Sequence, residues 1–267
     1  MAFELHHRVA GEGPPILLIH GGGPDGDMWG AEFEDLAQDH RVIAYSRRGY
    51  PGSGEPIRDW ERHSEDAAGL LRDLAATPAT VVGHSAGAIV ALDLALRHPE
   101  LVSSLVLMDP AVYGRRHTTP GLARAFVAAQ LARRFRGEQR GAEIFIRWAV
   151  SYSTGGSAWD RDDYLEEWRR GMRSNAAALF ADLAAGDGSH IPRDQLQTIR
   201  CPVTLVVGEL SPSWFHRTAR ALRRDLPEHR FEVIQGAGHA LTFDKPSEFV
   251  RVARDASLGT GVARASA

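Results

Sequence analysis

The sequence predicts an α/β fold, in which a mostly parallel β-sheet carries helices on both of its faces. Short apolar runs such as Ile16–Ile19 and Val203–Val207 have the length of buried strands, and amphipathic stretches separate them. This alternation of strands and helices is typical of a parallel sheet. At 267 residues, of which 43% are hydrophobic and 24% charged, the chain can form one such domain with an insertion.

The individual elements follow from the periodicity of apolar residues. Helices Ser64–Leu74 and Ala86–His98 have apolar faces that a sheet would cover. Trp214–Leu226 and Pro246–Asp255 are predicted as the last two helices. The predicted strands are Phe3–Arg8 at an edge, Ile16–His20, Arg41–Ser46, Ala79–Gly83, Leu101–Met108, Val203–Gly208 and Arg230–Gln235.

The segment 112–199 interrupts the alternation. It is rich in Ala, Arg and aromatic residues and contains no convincing strand, and its Gly and Pro residues divide it into about four helices. We therefore expect an α/β core formed by residues 1–111 and 200–256, with a helical cap formed by residues 112–199. Residues 257–267 are small and polar, which predicts a flexible tail.

The composition argues against several classes of protein. A net charge of −3 gives no general attraction for nucleic acid, and the apolar runs are far shorter than the ~20 residues of a membrane-spanning helix. Because the N-terminal residues lack the apolar core of a signal peptide, we expect a cytoplasmic protein with no nucleic-acid or membrane partner. Cys201 is the single cysteine, so no internal disulfide can form, and we expect a buried, unreactive thiol.

The segment Gly83–Gly87, Gly-His-Ser-Ala-Gly, fits the pattern G-x-S-x-G and lies between a predicted strand and a predicted helix. In this context the pattern indicates a nucleophile elbow, a tight turn that exposes the serine hydroxyl above the sheet. The glycines lack the Cβ atoms that would collide where strand and helix approach each other. The start of the following helix favours negative charge near the serine. We therefore expect Ser85 to be a nucleophile.

The segment His20–Gly23, His-Gly-Gly-Gly, follows a central predicted strand. Its backbone N–H groups can point at an oxygen that carries developing negative charge. We expect the N–H groups of Gly22 and Ala86 to form this oxyanion hole.

A dinucleotide site is the alternative interpretation of the same glycines. Gly21, Gly23 and Gly26 fit the fingerprint G-x-G-x-x-G directly after a strand. Against it, Ser46 ends the next predicted strand where an acidic ribose-binding residue would be needed. Asp25 would also place a carboxylate where pyrophosphate would lie.

His239 is the candidate base. It lies in Gly236–His239, just after the last predicted strand, where a loop can return the imidazole to the elbow. No pair of histidines has the spacing of a metal site, so we expect no metal.

By these residues the chain resembles the α/β-hydrolase superfamily over residues 3–255. The resemblance implies a sheet of eight strands, with the helical cap inserted between the sixth and the seventh. The order of the matching segments along the chain is as diagnostic as their content. They are His20–Gly23, Arg47–Ser53, Gly83–Gly87, Leu105–Pro110, Cys201–Glu209 and Gly236–His239.

The acid that would orient His239 departs from the commonest pattern of the family. Many members carry it after strand seven, in a stretch that resembles Gly-x-x-Asp, but here Gly208–Ser211 ends in a serine, which has no charge. Asp109 follows the predicted strand Leu101–Met108, which is strand six in the eight-strand count of the family, a position that pancreatic-type lipases and some haloalkane dehalogenases use. We favour Asp109, with Glu209 or no working acid as the alternatives, and a turn-forming Asp-Pro as the structural explanation of Asp109.

The resemblance implies a serine hydrolase that acts on a small molecule through an acyl-enzyme, with no cofactor. The aromatic-rich cap favours a small to medium apolar or aromatic carboxylic ester, lactone or thioester. The candidate substrate-binding residues are His84, Tyr113, Trp148, Tyr152, Trp159 and Trp214.

Two other functions stay open. Cofactor-free dioxygenases and some biosynthetic cyclases resemble this superfamily and use a His–acid pair without an acyl-enzyme. Receptor-like proteins of the same fold bind a ligand and turn it over slowly or not at all. The sequence does not indicate an oligomeric state.

Overall fold

A computed structural model describes residues 4–113, 117–163 and 166–259, and it contains one sheet. The strands, numbered along the chain, are β1 (His7–Ala10), β2 (Pro15–Ile19), β3 (Arg41–Tyr45), β4 (Ala79–His84), β5 (Val102–Met108), β6 (Val203–Gly208) and β7 (His229–Ile234). Their order in the sheet is β1-β3-β2-β4-β5-β6-β7. Strand β1 is antiparallel to β3, and all other neighbours are parallel. The predicted, mostly parallel sheet is confirmed.

The expected eighth strand is absent from the described residues. The chain before β1 continues beside the segment that follows β3, where the His6 carbonyl accepts a hydrogen bond from the Ser46 N–H. The outer edge of β1 therefore pairs with no further strand in the described ranges. The predicted edge strand is also displaced along the sequence, because β1 pairs with β3 from His7 opposite Tyr45 to Ala10 opposite Val42. Phe3 lies outside the described residues.

Helices cover both faces of the sheet. Successive residues of β2 point to opposite faces, so that Leu17 belongs to one apolar cluster and Leu18 to the other. Residues of α2, α3 and α8 complete the first cluster, and residues of α1 and α10 complete the second. The α-helices of the described ranges are α1 (Gly30–Leu36), α2 (Trp60–Asp73), α3 (Gly87–Arg97), α4 (Pro120–Arg136), α5 (Glu138–Ala149), α6 (Glu166–Ser174), α7 (Ala176–Ala185), α8 (Ser213–Asp225), α9 (Leu241–Asp244) and α10 (Pro246–Ser257).

The inserted segment between β5 and β6 contributes α4, α5, α6 and α7. Its own apolar cluster includes Ile146, Trp159 and Phe180. Within the described ranges, every helix is too short or too polar to cross a membrane. The last helix continues through Ser257, which is the first residue of the predicted tail, and residues 260–267 lie outside the description.

Two glycines allow β4 and α3 to approach each other and β2. A Cβ on Gly83 would lie 2.6 Å from the Gly87 carbonyl oxygen, and a Cβ on Gly87 would lie 2.3 Å from the Ile19 carbonyl oxygen. Both obstacles are backbone atoms, which cannot move without shifting a strand or a helix. Glycine is thus required at both ends of the turn that carries Ser85.

We expect Gly87→Ala to destabilise the protein by about 2 kcal/mol or more, because the new methyl group forces backbone atoms apart in a packed core. Gly69→Ala is the matched control, since a Cβ there would meet no atom within 4 Å. In the middle of α2 it should be neutral or stabilise the protein by up to ~1 kcal/mol. Denaturant unfolding measures both variants, and equal stability of the two would contradict the steric account.

Candidate active site

Ser85 lies on the turn between β4 and α3 with a backbone φ of +54°, in the left-handed region that non-glycine residues rarely adopt. Hydrogen bonds hold it there from two directions. The Ser85 N–H donates to the Met108 carbonyl of β5 at 2.9 Å, and the Ser85 carbonyl accepts from the N–H groups of Ala88 and Ala111, both at 3.1 Å. The strained residue is therefore anchored to the neighbouring strand and to the helix that follows it.

His239 lies in the loop after β7, with its Nε2 atom 3.1 Å from Ser85 Oγ. Its ring stacks on Phe215, with 3.8 Å between ring centroids and 17° between planes. His84 packs against it at 4.7 Å and donates a hydrogen bond from Nε2 to the His239 carbonyl oxygen at 2.9 Å. Both the ring and the backbone of His239 are thus held in place.

Asp109 follows β5 and is also in the left-handed region, with φ +42° and no solvent exposure. Its N–H donates to the Val206 carbonyl at 2.8 Å, which fixes the residue beside β6. The Oδ2 atom lies 3.1 Å from Nδ1 of His239, and the Oδ1 atom accepts from the Gly208 N–H at 3.1 Å. The structure therefore brings Ser85, His239 and Asp109 into one chain of hydrogen bonds.

The described residues after β6 do not supply a carboxylate to the imidazole of His239. Ser211, which stands where many family members carry the acid, donates its hydroxyl hydrogen to Asp109 Oδ2 at 2.5 Å. Glu209 is exposed, and its Oε2 atom accepts from the Gly236 N–H at 2.8 Å. Of the two candidate acids, Asp109 contacts the imidazole, and Glu209 is bound to the loop that precedes it.

Burial and, to a lesser extent, the neighbouring His239 together lower the pKa of His84 to about 3. His84 is therefore neutral at physiological pH and adds no positive charge beside His239. As a neutral donor to the His239 backbone, it lines the cavity and supports the loop at once.

Gly22 and Ala86 line the same cavity as Ser85. A Cβ on Gly21 would be 2.9 Å from Ser85 Cβ, which shows how closely the glycine loop approaches the elbow. Within the described chain, neither the Gly22 N–H nor the Ala86 N–H donates to another protein group, and both residues line the cavity. Two such donors can stabilise a negatively charged oxygen bound next to Ser85.

The glycine loop does not have the shape of a dinucleotide site. After the glycines the chain forms the 3₁₀ turn Gly26–Met28, whereas a dinucleotide fold starts a long helix at this point.

A cavity of about 770 Å³ opens above Ser85, between the sheet and the inserted helices. Its size is that of sites for small organic molecules. The predicted residues His84, Trp148 and Trp214 line it. Other apolar residues of its wall are Met28, Trp60, Leu122, Phe126, Phe145, Ile146, Trp168, Met172, Leu179, Phe215 and Phe243.

Three predicted substrate-binding residues are not part of the cavity wall. The Tyr113 hydroxyl is buried and donates to the Ile191 carbonyl at 3.0 Å. Trp159 belongs to the apolar cluster of the inserted helices. Tyr152 donates to Asp244 Oδ1 at 2.7 Å, while Oδ2 of the same carboxylate accepts from the Gly238 N–H at 2.8 Å. Tyr152 therefore supports the loop of His239.

Sequence reasoning missed two features of the site. Phe215 stacks on His239, although only its neighbour Trp214 was a candidate. Arg47 is fully buried and pairs with Asp182 of α7, with Nη2 of Arg47 2.7 Å from Oδ2 of Asp182. The arginine lies in a segment that carries the family resemblance, but its partner is 135 residues away, and no local pattern connects the two.

Cys201 lies two residues before β6, outside the cavity wall, and is half-buried rather than fully buried as expected. Burial raises the pKa of its thiol to about 11. The thiol is therefore protonated at neutral pH, and it is a poor nucleophile in that state.

The chain belongs to the alpha/beta hydrolase family, because the model of that family matches residues 16–252. The match covers nearly all of β2, strands β3 to β7, the turn at Ser85, the inserted helices and the histidine loop, and β1 lies before it.

Several relatives are similar over part or all of the chain. The hydrolase YraK of Bacillus subtilis is 40% identical over 118 residues, which is 43% of this chain and 44% of that protein, so that the match spans less than half of either. The pimeloyl-acyl-carrier-protein methyl ester esterase of Aeromonas hydrophila is 28% identical over 252 residues, 91% of this chain and 94% of that protein. A solved structure of a thermophilic esterase from Thermogutta terrifontis has a TM-score of 0.76 and 25% identity, and covers 97% of this chain and 94% of that chain.

The buried histidines predict a loss of stability below pH 6.5. Burial lowers the pKa of His63 and His84 to about 3, from the value of 6.5 that an unfolded chain retains. Between these values the unfolded state binds protons that the folded state excludes, so stability falls as the pH is lowered. We expect the Tm to decrease from pH 7.5 to pH 5.5, a range in which unperturbed carboxyl groups stay largely ionised.

His63→Gln should flatten this dependence, because it removes one of the groups that the unfolded state protonates. His6→Gln is the control, since the His6 side chain is 43% exposed. A Tm that does not change with pH, or equal flattening by both variants, would contradict the account.

Proposed function

We propose that this protein is a serine hydrolase that cleaves a carboxylic ester, lactone or thioester through an acyl-enzyme. The observation that carries the proposal is the hydrogen-bonded chain from Ser85 Oγ to His239 to Asp109, with both distances 3.1 Å. A serine nucleophile within reach of an oriented base is the arrangement that acyl transfer needs. The membership of the alpha/beta hydrolase family supports it.

In the first half of the reaction, Ser85 Oγ attacks the carbonyl carbon, and His239 Nε2 takes the hydroxyl proton. The bond from the carbonyl carbon to the leaving oxygen or sulfur then breaks, and His239 gives the proton to the leaving group. The acyl group stays on Ser85.

In the second half, His239 removes a proton from water, and the resulting hydroxyl attacks the acyl-enzyme. The bond to Ser85 Oγ breaks as the serine regains its proton from His239, and the carboxylic acid leaves. Both halves need the same imidazole as base and then acid, which requires that Nε2 faces the serine and Nδ1 keeps its proton.

Asp109 keeps the proton on Nδ1 of His239 and the Nε2 atom toward the serine. Its carboxylate accepts the Nδ1 hydrogen of His239 and stabilises the imidazolium that forms during each half-reaction. The Gly208 N–H and the Ser211 hydroxyl donate to the same carboxylate, which keeps it in one orientation.

The N–H groups of Gly22 and Ala86 stabilise the negative oxygen of the tetrahedral intermediates. Each such donor typically contributes about 3 kcal/mol to the transition state. The turn at Ser85 places the donor of Ala86 next to the nucleophile, and the glycine loop provides the other.

The apolar wall of the cavity favours a small to medium apolar or aromatic substrate. Trp148 of α5 faces Trp214 and Phe215 of α8, with ring centroids 6.1 and 6.3 Å apart, so aromatic groups from the inserted segment and from the core meet near the serine. We propose that residues 112–199 act as a cap that excludes water from this site. The name of the relative from Aeromonas hydrophila, a methyl ester esterase, agrees with ester chemistry.

Ser85→Ala should lower the turnover of an activated ester by ~10⁴-fold or more, because it removes the atom that forms the acyl-enzyme. The measurement is release of nitrophenol from nitrophenyl esters. Ser103→Ala, at an exposed position of β5, is the control and should leave turnover unchanged. Full turnover by Ser85→Ala would overturn the proposal and favour chemistry carried by the His239–Asp109 pair alone.

Asp109→Asn should reduce kcat by about 10⁴-fold, because an amide keeps the shape of the carboxylate but favours the wrong tautomer of His239. Glu209→Gln tests the alternative acid and should leave kcat unchanged, since the Glu209 carboxylate is bound to the Gly236 N–H rather than to the imidazole. Steady-state kinetics of the two variants decide between the acids. A loss in Glu209→Gln as large as that in Asp109→Asn would contradict this assignment.

A further inference from the structure

The peptide unit between Gly21 and Gly22 determines where one oxyanion donor points. The N–H of Gly22 and the carbonyl of Gly21 belong to the same planar trans unit and point in opposite directions. A hydrogen bond that fixes the direction of the Gly21 carbonyl therefore also fixes the direction of the Gly22 N–H. This unit has no side chain of its own to orient it.

Two donors hold the Gly21 carbonyl oxygen. Nδ1 of His20 lies 2.7 Å from it, and Nη2 of Arg47 lies 3.0 Å from it. The backbone N–H of Arg47 donates to Nε2 of His20 at 2.9 Å, so Nε2 must be the acceptor and Nδ1 must carry the hydrogen. Burial keeps the pKa of His20 well below its usual value, which leaves the ring neutral. Arg47 therefore acts on the Gly21 carbonyl directly and through His20.

Asp182 holds the Arg47 guanidinium in this position. Its two oxygens accept from Nη1 and Nη2 of Arg47 at 3.1 and 2.7 Å. The Tyr50 hydroxyl donates to Asp182 Oδ2 at 2.7 Å and accepts from the Gly23 N–H at 3.2 Å. The network therefore binds both peptide units that flank the Cα atom of Gly22.

The free-energy cost of burying Arg47 and Asp182 indicates that this ion pair has a role other than stabilising the fold. The Arg47 side chain is 0% and the Asp182 side chain 6% exposed. Removing two charges from water cancels most of their attraction, and apolar replacements of such pairs are often neutral or stabilising. A bidentate pair does, however, fix the orientation of both groups.

We infer that Asp182 is a positioning residue for the oxyanion hole, acting through Arg47 and Tyr50 on the Gly21–Gly22–Gly23 backbone. This inference rests on the proposed function. Because Asp182 lies on α7 and lines the cavity, the inserted helices and the oxyanion donor are coupled through one carboxylate.

The test compares Asp182→Asn with Asp66→Asn. Asp66 forms a similar bidentate pair with Arg48, at 2.8 and 2.7 Å, but the pair does not contact the glycine loop. Both variants remove one carboxylate from an arginine pair, so that a general loss of stability affects both. Only Asp182→Asn should release the Gly21 carbonyl.

For Asp182→Asn we expect kcat for a nitrophenyl ester to fall by roughly 10- to 100-fold, with KM changed by less than about twofold. The affinity for a trifluoromethyl ketone, which forms a negatively charged adduct with the serine, should fall by the same factor as kcat/KM. Asp66→Asn should keep both values. Equal kinetic losses in the two variants, or a loss confined to KM, would overturn the inference.

Tyr50→Phe is the second variant, because it keeps both members of the buried ion pair and removes the hydroxyl that joins Asp182 to the Gly23 N–H. It should lower kcat by about tenfold, as expected for a less well-oriented donor, without a change in KM. Unchanged kcat in a folded Tyr50→Phe variant would count against the network.

Glycine-selective ¹⁵N labelling provides a readout that does not depend on catalysis. The Gly22 and Gly23 amide signals should shift in Asp182→Asn and stay unchanged in Asp66→Asn, and unshifted signals in Asp182→Asn would overturn the inference. If turnover of the unmodified protein proved independent of Ser85, the proposed function would fail, and the amide signals would still decide whether Asp182 orients the loop.

Discussion

Hydrogen bonding between the parallel strands β4, β5 and β6 determines the geometry of the whole site. The Ser85 N–H donates to the Met108 carbonyl, and the Asp109 N–H donates to the Val206 carbonyl, so each of these two candidate residues is bound to the strand beside it. Ser85 follows β4 and Asp109 follows β5, and both residues have a left-handed backbone conformation. The side chains consequently emerge at the same edge of the sheet, where the loop of His239 can contact both. Parallel strands make this convergence possible because their carboxyl ends lie together.

The same geometry explains how the proposed acid can follow β5, the family's strand six, when many family members carry it after the family's strand seven, which is β6 here. Adjacent parallel strands end side by side, so a carboxylate at either end can face the same imidazole. Here Ser211 keeps a hydroxyl at the commoner position and donates it to Asp109. This hydrogen bond lowers the free-energy cost of burying the Asp109 carboxylate, because a buried charge needs hydrogen-bond donors. In our proposal, the hydrogen bonds still run from the serine to the histidine to the acid, and only the strand that carries the acid differs.

The sequence was sufficient for features whose signal is local. Strand length and apolar periodicity predicted the sheet, and the glycines around Ser85 predicted the tight turn. The charge requirement of the imidazole and the family resemblance favoured Asp109, with Glu209 or no working acid left open. The sequence was insufficient where the position of a side chain depends on tertiary packing. An aromatic residue such as Tyr152 can line a cavity or support a loop, and only the position of its hydroxyl partner distinguishes the two. The pair of Arg47 and Asp182 joins residues far apart in the chain, so neither predicts the other. The eighth strand was inferred from relatives, and no pairing in the described residues supports it.

The account depends on covalent bonding between Ser85 and the acyl group of the substrate. The most direct measurement is rapid acid quenching during turnover of a nitrophenyl ester, followed by mass spectrometry of the intact protein and of its peptides. The account predicts a transient mass increase equal to one acyl group, located on Ser85. Release of product with no such adduct, or an adduct on another residue such as Cys201, would contradict it.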